Sequence, residues 1–325
     1  MVRPHSHDAA DSVDGALEAS ARGIAAVKIS LVILGVTALA QALLVVVTGS
    51  VALLADAIHN FSDALTALPL WVAFALSRRK ASSRYTYGYG RAEDLAGIFI
   101  VAMILLSAVV AGWESLRRLL EPQPLAHPWV VVAAGVIGFL GNEAVARYRI
   151  RVGEEIGSAA LVADGVHART DGFTSLAVVI GALGVMAGMP LADPIVGLLI
   201  TLAIVVVLRG AAREIYQRLM DAVDPELVAT AQNVLLETSG VRGVEIVRLR
   251  WVGHRMHAEA SVEVDASLSV IDGHYIAVSG HHRLLHAIPK LEDATVHVSP
   301  SGEVGAHHHD LIAHHHTGPG EDSDE

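Results

Sequence analysis

The chain has 325 residues, of which 53% are hydrophobic and only 18% charged, with a mean hydropathy of +0.49. Such a composition points to a membrane protein rather than a soluble globule. The absence of cysteine excludes disulfide frameworks, thiol nucleophiles and cysteine-rich zinc sites. The net charge of −11, six acids of which fall in residues 301–325 with no Lys or Arg among them, argues against nucleic acid as a partner.

The first 22 residues are polar and lack the apolar core and cleavage pattern of a secretory signal, so the first membrane span is expected to serve as the insertion signal. Six apolar segments follow, at roughly 25–47, 51–76, 95–117, 128–146, 158–188 and 191–210. An even number of spans puts both termini on one side. The loop after the second segment carries Arg78, Arg79, Lys80, Arg84 and Arg91, and the stretch after the fourth carries Arg147, Arg149 and Arg151. The loops near residues 49 and 189 carry no Lys or Arg, and Arg117 and Arg118 are the only dissent. The positive-inside rule therefore predicts cytoplasmic termini.

Beyond this region the composition becomes that of a soluble domain. "DPELVATAQNVLLETSG" predicts a helix opened by Asp224 and Pro225 and closed near Gly240, with a strand following at 243–251. In "HRMHAEASVEVD", Ala258, Ala260, Val262 and Val264 alternate with His257, Glu259, Ser261 and Glu263, as in a half-buried strand. A helix at about 269–287 and a strand in "ATVHVS" complete an αββαβ order. That order suits a two-layer α+β, ferredoxin-like sandwich. The expected organisation is a polar N-terminal tail at 1–22, a six-helix transmembrane domain at 23–212, a cytoplasmic domain at 213–300, and a His-rich acidic tail at 301–325 that is expected to be disordered.

Chemistry concentrates in a repeat: "ADAIHNFSD" at 55–63 and "ADGVHARTD" at 163–171. At helical spacing Asp56, His59 and Asp63 share one face of the second span, and Asp164, His167 and Asp171 one face of the fifth. Each ionisable group at membrane depth costs about 2.5–3.5 kcal/mol even on the lenient insertion scale, so such groups face a lined interior and have partners. His59, Asp63, His167 and Asp171 together offer two imidazoles and two carboxylates, the tetrahedral nitrogen and oxygen set suited to Zn2+ or a similar ion. Protons compete with metal for imidazole near neutral pH, which suggests an antiporter. Asp56 and Asp164, one turn before the ligands, are read as partners that orient the ligands, entrance charges or helix-end residues. Arg169 is expected to point away from the metal. Asn142 and Glu143, placed at the cytoplasmic end of span four, are read either as a helix-end polar cluster or as entrance groups.

The "HNFSD" and "HARTD" motifs, the loop "RYTYGYGRAEDLAG", and six helices followed by an αββαβ domain resemble the cation diffusion facilitator family of metal/proton antiporters, over about residues 25–300. The resemblance implies a homodimer with one site per subunit between spans two and five. It also implies cytoplasmic domains that pair, and metal that leaves the cytosol in exchange for protons. His plus Asp on both helices is the family's zinc-associated pattern, whereas all-Asp or Asn/Asp sets point elsewhere, notably to manganese. Some members bind a second metal in the loop between spans two and three; here Tyr87 and Tyr89 stand in those places, and no site is expected there. In the cytoplasmic domain His274 and His297 fall where relatives place regulatory ligands. Glu245 and Ser261 stand where some members have His, and Ser299 where some have Asp, with His254 and His257 as substitutes. A regulatory set of His257, His274, His297 and Glu245 is thus weighed against an ordinary solvated strand face.

The histidine triplets at 307–309 and 314–316 suit weak metal capture or sensing. No prosthetic group is implied, Zn2+ being cargo and, in the cytoplasmic domain, a candidate regulator. The expected partners are protons, the lipid bilayer and a second copy of the chain. A bacterial inner membrane is the expected location. The alternative is a membrane-bound metal sensor or scaffold signalling through its cytoplasmic domain. An intramembrane hydrolase fits poorly, because no H-E-x-x-H motif occurs and four protein ligands leave no position for a catalytic water.

Overall fold

The structure, a computed structural model, describes residues 9–48, 67–121, 128–189 and 191–302. In chain order the helices of the first part are α1 (Ala9–Thr48), α2 (Ala67–Ser77), α3 (Arg91–Leu120), α4 (Pro128–Ile156), α5 (Ala159–Met186) and α6 (Ala192–Leu219). Among the described residues five segments are long and apolar enough to cross a membrane: Glu18–Leu43 of α1, α3, α4, α5 and Pro194–Leu219 of α6. The apolar Ala67–Ser77 is what is described of the second predicted span.

Three boundaries differ from the hydropathy reading. Helix α1 begins at Ala9, inside the polar N-terminal stretch, because the run from Ala9 to Ala26 is rich in alanine, the strongest helix former. Helix α4 continues ten residues past the apolar segment to Ile156, so Arg147, Arg149 and Arg151 are helical rather than in a loop. Helix α6 likewise runs on to Leu219. No residue in these extensions breaks a helix, and the polar character that ends a hydropathy window does not end a hydrogen-bond ladder.

Helix α5 is the inner helix, packed against α3, α4 and α6. Its start is fixed by chemistry. Gly157 has φ +79°, which turns the chain sharply at the end of α4, and the Ser158 hydroxyl accepts a hydrogen bond from Leu161 N at 3.3 Å as the N-cap. Helices α4 and α5 then approach so closely that glycine is required on both. A Cβ on Gly153 would lie 2.9 Å from the backbone N of Val162, and one on Gly165 would lie 2.9 Å from the backbone N of Ile150. Small residues that admit such approach are how membrane helices associate without a hydrophobic driving force. The opposite faces carry exposed Val32, Val36 and Leu39 on α1, Leu105, Leu106 and Val109 on α3, and Leu199, Leu202 and Val206 on α6. These are the apolar surfaces lipid would cover.

The chain divides into two units, Met1–Met220 with Val252–His254, and Asp221–Trp251 with Arg255–Glu325. In the second, α7 (Pro225–Leu236) opens as predicted, with Asp224 accepting from Glu226 N at 2.9 Å and Pro225 in the first turn. It stops at Leu236, before Gly240, which at φ +93° turns the chain into β1. Strands β1 (Val241–Val252), β2 (Arg255–Val264) and β3 (Leu291–Pro300) form one sheet in the order β1-β2-β3. Helix α8 (Val270–Ala287) crosses between β2 and β3, which pair in parallel with Ala258 opposite Ala294 and Ser261 opposite His297. Met256, Ala258, Ala260, Val262 and Val264 are buried, which is the face the β2 alternation predicts, and the first four share a core with Leu235, Leu284 and Ile288 of the helical side.

Candidate metal centre

His167 and Asp171 lie one turn apart on α5, 1% and 4% exposed, with His167 Nδ1 3.7 Å from Asp171 Oδ2. The i, i+4 spacing brings both side chains to one face, as expected. Thr170 keeps to its own helix, its hydroxyl donating to His167 O at 2.7 Å. Asp56, His59 and Asp63 lie outside the described residues, as do the histidine triplets of the tail. Half of the predicted quartet is therefore described, and its two members are together.

Asp164, one turn before His167, is fully buried, and its Oδ2 lies 2.8 Å from Nη1 of Arg149, itself 1% exposed. The positive-inside count treats Arg149 as one of three equivalent loop charges. In the structure its neighbours Arg147 and Arg151 are largely exposed and pair with Glu143 and Glu155 along α4, whereas Arg149 turns inward to α5. The run "ARYRIRVGEEI" was the available signal: it holds no proline, so one of three alternating arginines must face the bundle.

Asn142 and Glu143 lie in the middle of α4 rather than at its end, because the helix continues for fourteen residues past Asn142. Asn142 is buried against α5, where a Cβ on Gly172 would lie 3.4 Å from its own Cβ. Glu143 joins the two helices: Arg147 Nε is 2.7 Å and Arg169 Nε 3.3 Å from its carboxylate. Arg169 thus reaches across to α4.

Sequence reasoning missed the role of Glu93, in the loop motif "RAED". It is buried at the start of α3, accepts from the Ser158 hydroxyl at 3.0 Å, and lies 2.5 Å from Nδ1 of His254. His254 is thereby engaged with Glu93.

On that face Ser261 donates to Glu245 Oε2 at 2.6 Å, and Ser299 lies 3.4 Å from both. Three of the five positions at which the family resemblance places ligands are therefore brought together, but they hold a carboxylate and two hydroxyls bonded to one another. His257 sits beside Glu292 with Nε2 3.8 Å from its carboxylate, and partial burial pushes its pKa down against the pull of Glu292 and Asp293. His274 and His297 are exposed. Among the described residues no three His, Asp or Glu side chains are gathered to hold a metal ion.

Comparison with known proteins matches residues 27–220 to the family description "Cation efflux transmembrane domain" and residues 223–301 to "Cation efflux protein, cytoplasmic domain". A "probable cation efflux system protein" of Mycobacterium tuberculosis is 60% identical over 93% of this chain and 91% of its own. Magnetosome protein MamB of Paramagnetospirillum magneticum is 28% identical over 80% of this chain and 88% of its own. "Metal tolerance protein C1" of Arabidopsis thaliana is 25% identical over 82% of this chain and 61% of its own. A solved "MamM-CTD" chain aligns at 23% identity over 24% of this chain and 96% of its own, with a TM-score of 0.23. The chain belongs to the cation diffusion facilitator family: it is a multi-pass membrane transporter of divalent cations, with a cytoplasmic domain of the family's dimerisation type.

Proposed function

We propose that this transporter exports Zn2+ from the cytoplasm in exchange for protons, through a tetrahedral site of His59, Asp63, His167 and Asp171 between the second span and α5. The observation that carries the reading is the buried His167 and Asp171 pair on α5, matched by the same A-D-x-x-H-x-x-x-D spacing at 55–63. Two imidazoles and two carboxylates favour a zinc-class ion over Mg2+ or Ca2+, which take oxygen ligands. Two carboxylate charges offset those of the ion, and protons that reload the ligands as it leaves supply the drive. Asp164 is assigned a supporting role, its charge matched by Arg149 so that it fixes α5 against α4 instead of drawing the cation. The functional unit is a homodimer in a bacterial inner membrane, with both termini in the cytoplasm.

The test is Zn2+ uptake into inside-out proteoliposomes under an imposed pH gradient, for the intact protein and for Asp171→Ala. Uptake that requires the gradient and is lost in the variant supports antiport through this site. Tight Zn2+ binding with no flux in either protein would overturn it in favour of a sensor or another cargo.

A further inference from the structure

Helix α8 carries "HHRLLH" near its end, a cluster that the transport reading does not use. His282 and His286 are both exposed and stand one helical turn apart. Their Nε2 atoms are 3.2 Å from each other, and the rings meet edge to face with centroids 4.5 Å apart at 73°. Two nitrogens bound to one tetrahedral ion at about 2.0–2.1 Å are themselves about 3.3–3.4 Å apart. The pair is thus spaced as two ligands of one ion would be.

Arg283, between the two, turns away to the end of α7, donating to Glu237 O at 2.6 Å and to its carboxylate at 3.1 Å. Its guanidinium therefore does not compete beside the imidazoles. His281 faces β3, with Nε2 3.6 Å from Asp293.

We propose that His282 and His286 form a two-point binding site for a divalent ion of the zinc, nickel and copper class on the exposed face of α8. Without metal, the 3.2 Å contact is an N–H···N hydrogen bond from one ring to the other. On binding, the donor ring moves its proton to Nδ1, so that both Nε2 lone pairs face the ion, and water fills the remaining positions. Imidazole nitrogen selects against Mg2+ and Ca2+. The site places a metal-responsive group on the soluble domain, separate from the transport ligands and from the Glu245, Ser261 and Ser299 cluster.

The test is peptide-resolved carbethoxylation of histidine in the detergent-purified full chain, with Zn2+ or Mg2+ added. We expect Zn2+ to lower the modification of His282 and His286 in parallel, by about tenfold at saturation under the imidazole chemistry above, and Mg2+ to have no effect. Zn2+ should no longer protect His282 in His286→Ala, nor His286 in His282→Ala, and protection should persist in Asp171→Ala. That last variant separates failure of this site from failure of the transport reading. Protection of either histidine that survives loss of the other, or no protection of either in the intact chain, would overturn the proposal.

Discussion

Arg149 and Asp164 together decide how much charge α5 can present. Each is buried, and burying an isolated ion costs several kcal/mol, so neither is tolerable without the other. Arg149→Met alone should destabilise the detergent-solubilised protein by about 3–5 kcal/mol, since it strands a buried carboxylate. Arg149→Met with Asp164→Asn should recover most of that. Thermal loss of the monodisperse species in size-exclusion profiles measures both, and equal losses in the single and double variants would refute the pairing. His257 gives a pH dependence of known sign. Burial holds its pKa below the ordinary value of about 6.5, so the unfolded chain takes up the proton first. Its contribution is intact above that value and is lost as pH falls below it towards the depressed folded pKa. Hydrogen exchange across β2, corrected for intrinsic rates, should show protection falling over that window, and His257→Gln should flatten the fall. Of these residues, the motif spacing already placed His167 and Asp171 on one face. The pairing of Asp164 was illegible, because a local period can turn one arginine of α4 inward but says nothing about which residue of a neighbouring helix it meets.

The tight packing of α4 on α5 makes glycine the most sensitive residue type in this pair of helices. Gly165→Ala would press a methyl against the backbone of Ile150, which cannot rotate away as a side chain can. Overpacking of this kind costs about 1–3 kcal/mol, and by displacing α5 it should also reduce transport severalfold. Gly35→Ala on α1, where nothing lies within 4 Å, is the control and should leave both unchanged. Melting and flux assays on the two variants decide the point. Elements that rest on local rules were readable from the chain: Asp224 with Pro225 opens α7, Ser269 accepts from Asp272 N at the start of α8, and the period of two in β2 marks its buried face. Elements bounded only by hydropathy were read short. Helices α1, α4 and α6 all continue through polar sequence, because a helix ends where its backbone ladder is broken and not where it leaves an apolar environment.

For the protein in its membrane, the distribution of arginine predicts that the α2–α3 loop and the α5–α6 loop face opposite sides. The chain has no cysteine of its own, so single reporters can be introduced without background. Ser83→Cys and Met189→Cys, both at exposed positions, should react with a membrane-impermeant maleimide from the cytoplasmic and the external side respectively. Labelling of both from one side would refute the six-span topology. The two-residue joint at Gly157 and Ser158 bears on motion. With so short a tether and interlocked glycines on either side of it, α4 and α5 have no slack between them and must swing as a single lever. His167 and Asp171 ride on that lever as a buried pair. Any movement of that lever must therefore be taken up at the remaining faces of α5, where it packs on α3 and α6.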